Sequence, residues 1–279
     1  MDVLNFFPKD SFSGKTVFIT GGGSGINLGI AKNFAVLGAK LAICSRSKER
    51  LDNAKIELED LGAEVLAVSA DVRDYVAVIE ALEDCSETLG NIDVLICGAA
   101  GNFPCAAKDL SANGFRTVVD IDLMGTFNTM HAAFGQLKKT KGCAIFISAG
   151  QSQIPYEMQA HVGAAKAGVD NLMKNLALEW GRYGIRVNSI LPGPIADTLG
   201  FEKLVPDEIS QELQNTIPLK KFGHVDDIGQ AAVFLASPLA SFITGTVLRV
   251  DGGHNLQGSG LFFHLVREHA KSQKGKDVK

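Results

Sequence analysis

The sequence predicts an α/β protein: a single doubly wound domain, residues 1–279, with a seven-stranded parallel sheet and helices on both faces. Three observations predict it. Seven short β-branched runs alternate with longer segments whose apolar residues recur at helical spacing, which implies βαβ units and a sheet covered on both sides. A glycine cluster lies between the first run and the first helix. No linker, repeat or low-complexity segment interrupts the chain before the basic tail "REHAKSQKGKDVK", residues 267–279, which reads as a frayed terminus.

Taken in order, "TVFIT" is the first strand, and the helix after it ends near Leu37 and Gly38. Between them, "TGGGSGI" supplies Gly21, Gly23, Ser24, Gly25 and Ile26. Glycines there permit positive φ and let backbone amides approach a pyrophosphate, which the helix N-terminus favours electrostatically. In this context the loop predicts dinucleotide binding, a Rossmann arrangement. Asn27 stands where a third glycine usually permits close helix packing, and Gly29, two residues on, is expected to relieve the crowding. The second strand, "KLAICS", ends at Ser45 and Arg46, where an NAD-binding chain carries an acid for the ribose diol. A hydroxyl and a cation suit a ribose 2′-phosphate, so NADPH is the expected cofactor; the alternative is an exposed loop arginine. The third strand, "EVLAVSAD", brings Asp71 and Val72 towards the adenine edge, although Asp71 could equally cap the next helix. "IDVLICG" is the fourth strand, followed by two helical patterns between about Leu110 and Lys139; "CAIFIS" is the fifth. The helix after it, "QAHVGAAKAGVDNLMKNLALEW", sets Lys166 on an apolar stripe between Val162 and Val169. "IRVNSIL" and "TVLRVDGG" complete the sheet. The segment from Ala196 to Lys221 breaks the alternation after a strand carboxyl end, where such sheets bind ligands.

Composition narrows the classes of function. Hydrophobic residues make up 46% and charged residues 21%, an ordinary globular profile, and a net charge of −4 gives no reason to expect nucleic acid. No apolar run reaches membrane-spanning length, and "MDVLNFFPKDSFSGK" lacks a signal pattern. Five cysteines, odd in number and without ligand spacing, read as reduced thiols of a cytoplasmic protein. The six histidines form no ligand pair, so no metal is expected.

The blocks "TGGGSGI", "AAG" at Ala99, Ala100 and Gly101, "AAKAGV", "IRVNSILPGPI" and "DGG" resemble the short-chain dehydrogenase/reductase family along nearly the whole chain. Members of that family usually carry a tyrosine four residues before the lysine, a serine thirteen before the tyrosine, and an asparagine on an earlier helix. Here those positions fall on Val162, Ala149 (with Ser148 just before it) and Asp122. Only Lys166 survives, so the phenolic proton relay to a carbonyl oxygen is missing. The blocks "AAGNF", "DID", "LALEWG" and "FLASPLASFITG" are similar to the family's 2,4-dienoyl-CoA reductase branch of the peroxisomal type, which also lacks that tyrosine.

That resemblance implies NADPH-dependent reduction of a 2,4-dienoyl-CoA thioester to 3-enoyl-CoA, a step in breaking down unsaturated fatty acids. Alternatives are a reductase of another enoyl thioester, enone or carbonyl, and a cofactor-binding sensor or scaffold that has lost catalysis. Hydride would add at the far end of the diene while charge develops on the thioester oxygen, so the site must stabilise an oxyanion and deliver a proton to carbon. Lys166 would hold the nicotinamide ribose and add positive potential; its other reading is a lysine that snorkels to water. Asp122 would position a water near Lys166; its other readings are a helix-surface carboxylate or a structural partner of the lysine. Asn102 and Phe103 would border the thioester, Phe103 being equally a core residue. Gln151 and Tyr156 lie on the loop facing the nicotinamide, Tyr156 as a pocket wall or as an alternative acid. Arg73 would meet a coenzyme A phosphate or stand exposed. Pro192, Gly193, Ile195 and Thr198 would curl beneath the nicotinamide, and residues 196–221 would form a lid. "FITGTVLRVDGG" resembles the family's oligomer-building edge, implying a homotetramer.

Overall fold

The computed structural model describes residues 3–196, 198, 201 and 207–259. Its strands are β1 (Thr16–Thr20), β2 (Lys40–Ser45), β3 (Val65–Ser69), β4 (Val94–Cys97), β5 (Cys143–Ile147), β6 (Arg186–Pro192) and β7 (Val247–Val250). They form one parallel sheet in the order β3-β2-β1-β4-β5-β6-β7, with Val17 opposite both Leu41 and Val94. The helices are α1 (Gly25–Ala35), α2 (Lys48–Asp60), α3 (Tyr75–Thr88), α4 (Ala112–Val119), α5 (Gly125–Thr140), α6 (Ala160–Trp180), α7 (Asp207–Thr216) and α8 (Val225–Ala236). The basic tail of residues 267–279 and part of the expected lid, Asp197 included, lie outside the described residues.

β1, β4 and β5 are buried at every position, because helices cover both faces and neither meets water. Alternate side chains therefore feed two cores. Val17, Ile19, Leu41, Ile43, Ile96 and Ile145 pack under α1, α2 and α8. Phe18, Ala42, Leu95, Ala144 and Phe146 pack under α3, α5 and α6. Each buried aliphatic or aromatic side chain is worth about 1.5–3 kcal/mol.

Gly29 has a different task from the one its position suggests. A Cβ there would lie 2.5 Å from Cβ of Val225, so Gly29 serves the close packing of α1 on α8. Space beside Asn27 comes instead from Gly98, where a Cβ would lie 2.1 Å from the Asn27 Oδ1. The two helical patterns between Leu110 and Lys139 are α4 and α5, and between them the chain makes a π turn at Asp120–Met124. Strand order reverses between β1 and β4, and ligands of such sheets bind outside the strand carboxyl ends at this point.

Replacing Gly29 with Ala should overpack the α1–α8 contact and lower stability by about 1–3 kcal/mol. A thermal-unfolding midpoint equal to the parent's would show that the helices separate without cost.

Candidate active site

At the reversal point, a cleft of 410 Å³ is lined by the glycine loop, the ends of β2 and β3, and the turn after β4. Gly21 and Gly25 have φ of +72° and +56°, which β-carbon sterics oppose in other residues. At Gly23 a Cβ would sit 3.3 Å from Cβ of Arg50 and 3.4 Å from the Ser45 hydroxyl, so only a bare backbone leaves the floor open. Ser24 is the N-cap of α1 but makes no hydrogen bond to the helix amides. Ile26 continues the lining, and Thr198 closes it from the far side, its Oγ1 donating to the Ile195 carbonyl at 3.1 Å. The Asn27 amide donates to the carbonyls of Gly98 (2.8 Å) and Gly21 (3.3 Å), bracing the glycine loop against the turn after β4. That turn is anchored from below, where the amides of Gly98 and Ala99 donate to the Thr20 hydroxyl at 3.0 and 3.2 Å. Such a cradle, with helix-terminal amides and no side chains on its floor, fits a dinucleotide pyrophosphate.

Ser45, Arg46, Ser47 and Arg50 gather at the β2 end of the cleft. Opposite them lies Asp71, a hub for two cations. Arg73 grips its carboxylate with Nε at 3.0 Å and NH2 at 2.6 Å, and the Arg46 NH1 stands 3.9 Å away. The bonded Arg73 guanidinium holds the Asp71 carboxyl below the usual carboxylate range against the opposing effect of burial, with Arg46 adding to the shift. Asp71 does not cap α3; Asp74 does, accepting from the amides of Val76 and Ala77. Val72 is buried against Gly125, and its carbonyl accepts from the Asn128 amide at 3.0 Å, pinning this segment to α5.

Deeper in, Lys166 is only 6% exposed and Asp122 only 1%. The lysine Nζ lies 3.2 Å from the Asp122 Oδ2 and donates to the Ile147 carbonyl at 2.9 Å. The other carboxylate oxygen of Asp122 accepts from the Gly101 amide at 2.7 Å. Lys166 is therefore not a snorkelling surface residue: its head is enclosed by a carboxylate and the last carbonyl of β5. Burying either charge alone would cost several kcal/mol, and each compensates the other. The π turn places Asp122 there, and such turns recur at functional sites. Val162, one turn before Lys166, is buried and offers no proton. Ala149 takes the serine position, and the neighbouring Ser148 hydroxyl is buried with no hydrogen-bonding partner among the described residues.

Around this pair, Ala100 and Gly101 lead into exposed Asn102 and Phe103, the latter 38% exposed with its ring against His161. Phe103 is thus a rim residue and not core. The Gln151 amide donates to the Gln159 Oε1 at 3.5 Å, and the Tyr156 hydroxyl is 3.3 Å from the His254 Nδ1. Burial pushes the Tyr156 hydroxyl up and the His254 imidazole down, with Asp251 raising both. β6 lies between β5 and β7, so the Tyr156–His254 contact arches over its carboxyl end, where Pro192 and Gly193 begin the next segment. The Gly193 amide donates to the Val250 carbonyl at 2.9 Å, and Ile195 forms a bridge with Gly223. Of the predicted residues, those of the glycine loop, Ser45, Arg46, Asp71, Val72, Ala99, Ala100 and Thr198 meet in one cleft. Arg73 borders it through Asp71.

A family model described as enoyl-(acyl carrier protein) reductase, a short-chain dehydrogenase/reductase type, matches residues 21–255. The chain is a short-chain dehydrogenase/reductase. It is 44% identical over 248 residues to the peroxisomal, (3E)-enoyl-CoA-producing 2,4-dienoyl-CoA reductase of Saccharomyces cerevisiae, covering 88% of this chain and 85% of that one. It is likewise 44% identical over 257 residues to the peroxisomal 2,4-dienoyl-CoA reductase of Arabidopsis thaliana, covering 88% and 86%. A crystal structure of a short chain dehydrogenase from Bacillus anthracis superposes with a TM-score of 0.79 at 40% identity, covering 86% of this chain and 96% of that one.

Sequence reasoning missed several residues of this short-chain dehydrogenase/reductase site. Ser47 and Arg50 carry no signal of their own in the sequence: Ser47 is the N-cap of α2 and Arg50 lies in its first turn, which brings both into the cleft. Asn27 read as a departure from the glycine pattern, whereas it is a brace. His161 and His254 were weighed only as metal ligands; among the described residues no group of three His, Cys, Asp or Glu is placed to hold one.

Asp122→Asn keeps an acceptor for the Gly101 amide and removes the charge facing Lys166. Leaving that ammonium uncompensated should cost about 3–5 kcal/mol. A urea-unfolding free energy within 1 kcal/mol of the parent, on the scale of an exposed pair, would show that the two charges do not depend on each other.

Proposed function

We propose that this reductase uses NADPH to reduce a conjugated acyl thioester, 2,4-dienoyl-CoA, to 3-enoyl-CoA. One observation carries the reading: the buried Lys166–Asp122 pair is kept while the neighbour that would donate a proton to a carbonyl is a buried valine. The 2,4-dienoyl-CoA reductases at 44% identity support it.

A nicotinamide cofactor bound in the cleft supplies the hydride. The protein's own residues do the rest. The cradle of Gly21, Gly23, Ser24, Gly25 and Ile26 takes the pyrophosphate, and Ala99, Ala100 and Gly101 border the ribose. Ser45 and Arg46, joined by Arg50, take the 2′-phosphate, and Asp71 and Val72 the adenine side. Lys166 takes the nicotinamide ribose hydroxyls and lends positive potential to the thioester oxygen as charge builds there. Its cation is available because Asp122 compensates it. With its Oδ2 3.2 Å from the Lys166 ammonium, Asp122 fixes the lysine so that a water is held beside the pair. That water delivers the proton to carbon.

Pro192, Gly193, Ile195 and Thr198 support the nicotinamide from below. Asn102 and Phe103 border the thioester, Gln151 and Tyr156 wall the pocket from the loop facing the nicotinamide, and Arg73 meets a coenzyme A phosphate. The chain acts as one catalytic unit and assembles as a homotetramer; the exposed Leu239 and the fully exposed Phe242 ahead of β7 support an apolar contact at that edge. All five thiols are free, which fits a reducing compartment such as the cytoplasm, and co-localisation of the tagged chain with a peroxisomal marker would reverse that placement. Among the described residues, no helix is long and apolar enough to cross a membrane.

A second reading, reduction of an enone or carbonyl, is favoured by the Tyr156 hydroxyl poised against His254. NADPH oxidation compared across dienoyl-, enoyl- and ketoacyl-thioesters separates the two. Turnover of the ketoacyl compound alone would exclude the first reading, and tight NADPH binding with no turnover of any would exclude both.

Lys166→Ala should abolish turnover and weaken NADPH binding at least tenfold, the loss of one charged hydrogen bond, as read by cofactor fluorescence titration. Near-normal turnover would remove the lysine from the site. Arg46→Asp should shift the kcat/KM ratio from NADPH towards NADH, and an unchanged ratio would leave the 2′-phosphate without this contact.

A further inference from the structure

His161 is a fully enclosed ionisable side chain that the reading above leaves unused. It is 0% exposed, and among the described residues neither ring nitrogen has a hydrogen-bonding partner. An orphaned buried polar group is costly, and native proteins keep few of them. In this structure the imidazole offers its surroundings an aromatic ring. It packs against Phe103, with ring centroids 4.5 Å apart and planes inclined at 52°, a favourable aromatic geometry.

Phe103 is held from a second side. Its Cζ lies 3.2 Å from where a Cβ would stand on Gly114, in the first turn of α4. The phenyl ring therefore sits in a slot between α6 and α4. The loop carrying it is pinned again two residues on, where the Cys105 amide donates to the Met158 carbonyl at 3.0 Å. Met158 has φ of +61°, a left-handed conformation that costs a non-glycine residue about 1–2 kcal/mol. Two independent contacts thus join the Phe103 loop to the start of the helix that bears Lys166.

We infer that His161 is a positioning residue: its ring holds Phe103 at the rim of the site, so that Phe103 forms a fixed wall for the acyl thioester. The inference rests on the reading that Phe103 borders the thioester. His161 acts through Phe103 and touches no reacting atom. Its position one residue before Val162 makes α6 do two jobs, enclosing the lysine head on one face and holding the substrate wall on the next.

The test uses the full chain with NADPH and a dienoyl-CoA, and reads kcat, the KM of each substrate and the thermal-unfolding midpoint. Phe103→Ala and His161→Ala should each raise the thioester KM roughly three- to tenfold, the range an aromatic pair carries, with kcat and the NADPH KM nearly unchanged. In the double variant the two effects should not add, because one acts through the other. His161→Phe keeps a ring and should restore the parental KM. Gly114→Ala, which pushes Phe103 from the opposite side, should raise the thioester KM while the midpoint holds or rises, alanine being the better helix former.

Phe103→Ala without effect would sink the reading of Phe103 and the inference with it. Phe103→Ala raising KM while His161→Ala changes only the midpoint would sink the inference alone. So would additive effects in the double variant, or a His161→Phe variant as impaired as His161→Ala, since the nitrogens and not the ring would then matter.

Discussion

The ion pair between Lys166 and Asp122 is the contact on which the arrangement of the site depends. It joins three parts of the chain: the end of β5 through the Ile147 carbonyl, the turn after β4 through the Gly101 amide, and α6 through the lysine itself. Neither charge is tolerable in that interior without the other. The pair therefore locks the distance between the glycine-rich turn and the helix facing it. Chemistry that needs a fixed cation gets one, with a conformation already set before any ligand arrives.

The cofactor end is organised by a different economy of charge. Asp71 neutralises part of two arginines, so the cleft is cationic without carrying two uncompensated guanidinium groups side by side. Arg73, gripped at two atoms, is fixed in direction; Arg46, at 3.9 Å, is held loosely enough to turn towards a phosphate. The glycine loop beside Arg46 keeps its shape through Asn27, whose amide reaches 71 residues along the chain to Gly98. A side chain that breaks the usual glycine pattern is here what keeps the pattern's geometry.

The fold was legible because its signal is local. Each strand and helix announces itself within a dozen residues, and the order of elements dictates a parallel sheet with its crevice at the strand ends. Lys166 was legible through its place on a motif, and the surprise of Val162 was visible at once. What escaped were contacts between distant residues. Gly29 was read against Asn27, its neighbour in sequence, while its partner is Val225 on another helix. His161 sits in an apolar run and gives no sign that it faces Phe103, 58 positions earlier. Tyr156 could be put on the right loop, but not beside His254, which is 98 residues away. Arg50 lies on an ordinary amphipathic helix, and its role follows only from where that helix begins.

The π turn at Asp120–Met124 makes the site sensitive to chain length as well as to residue type. A π turn holds one residue more than the helix around it, and each residue of an α-helix advances the side chains by about 100°. Removing a single residue from this stretch would let α4 and α5 run together as one regular helix. Every side chain before the deletion would then rotate relative to α6, carrying the Asp122 carboxylate off Lys166 and Val118 off Val162 and Ala165, while the sheet stayed as it is.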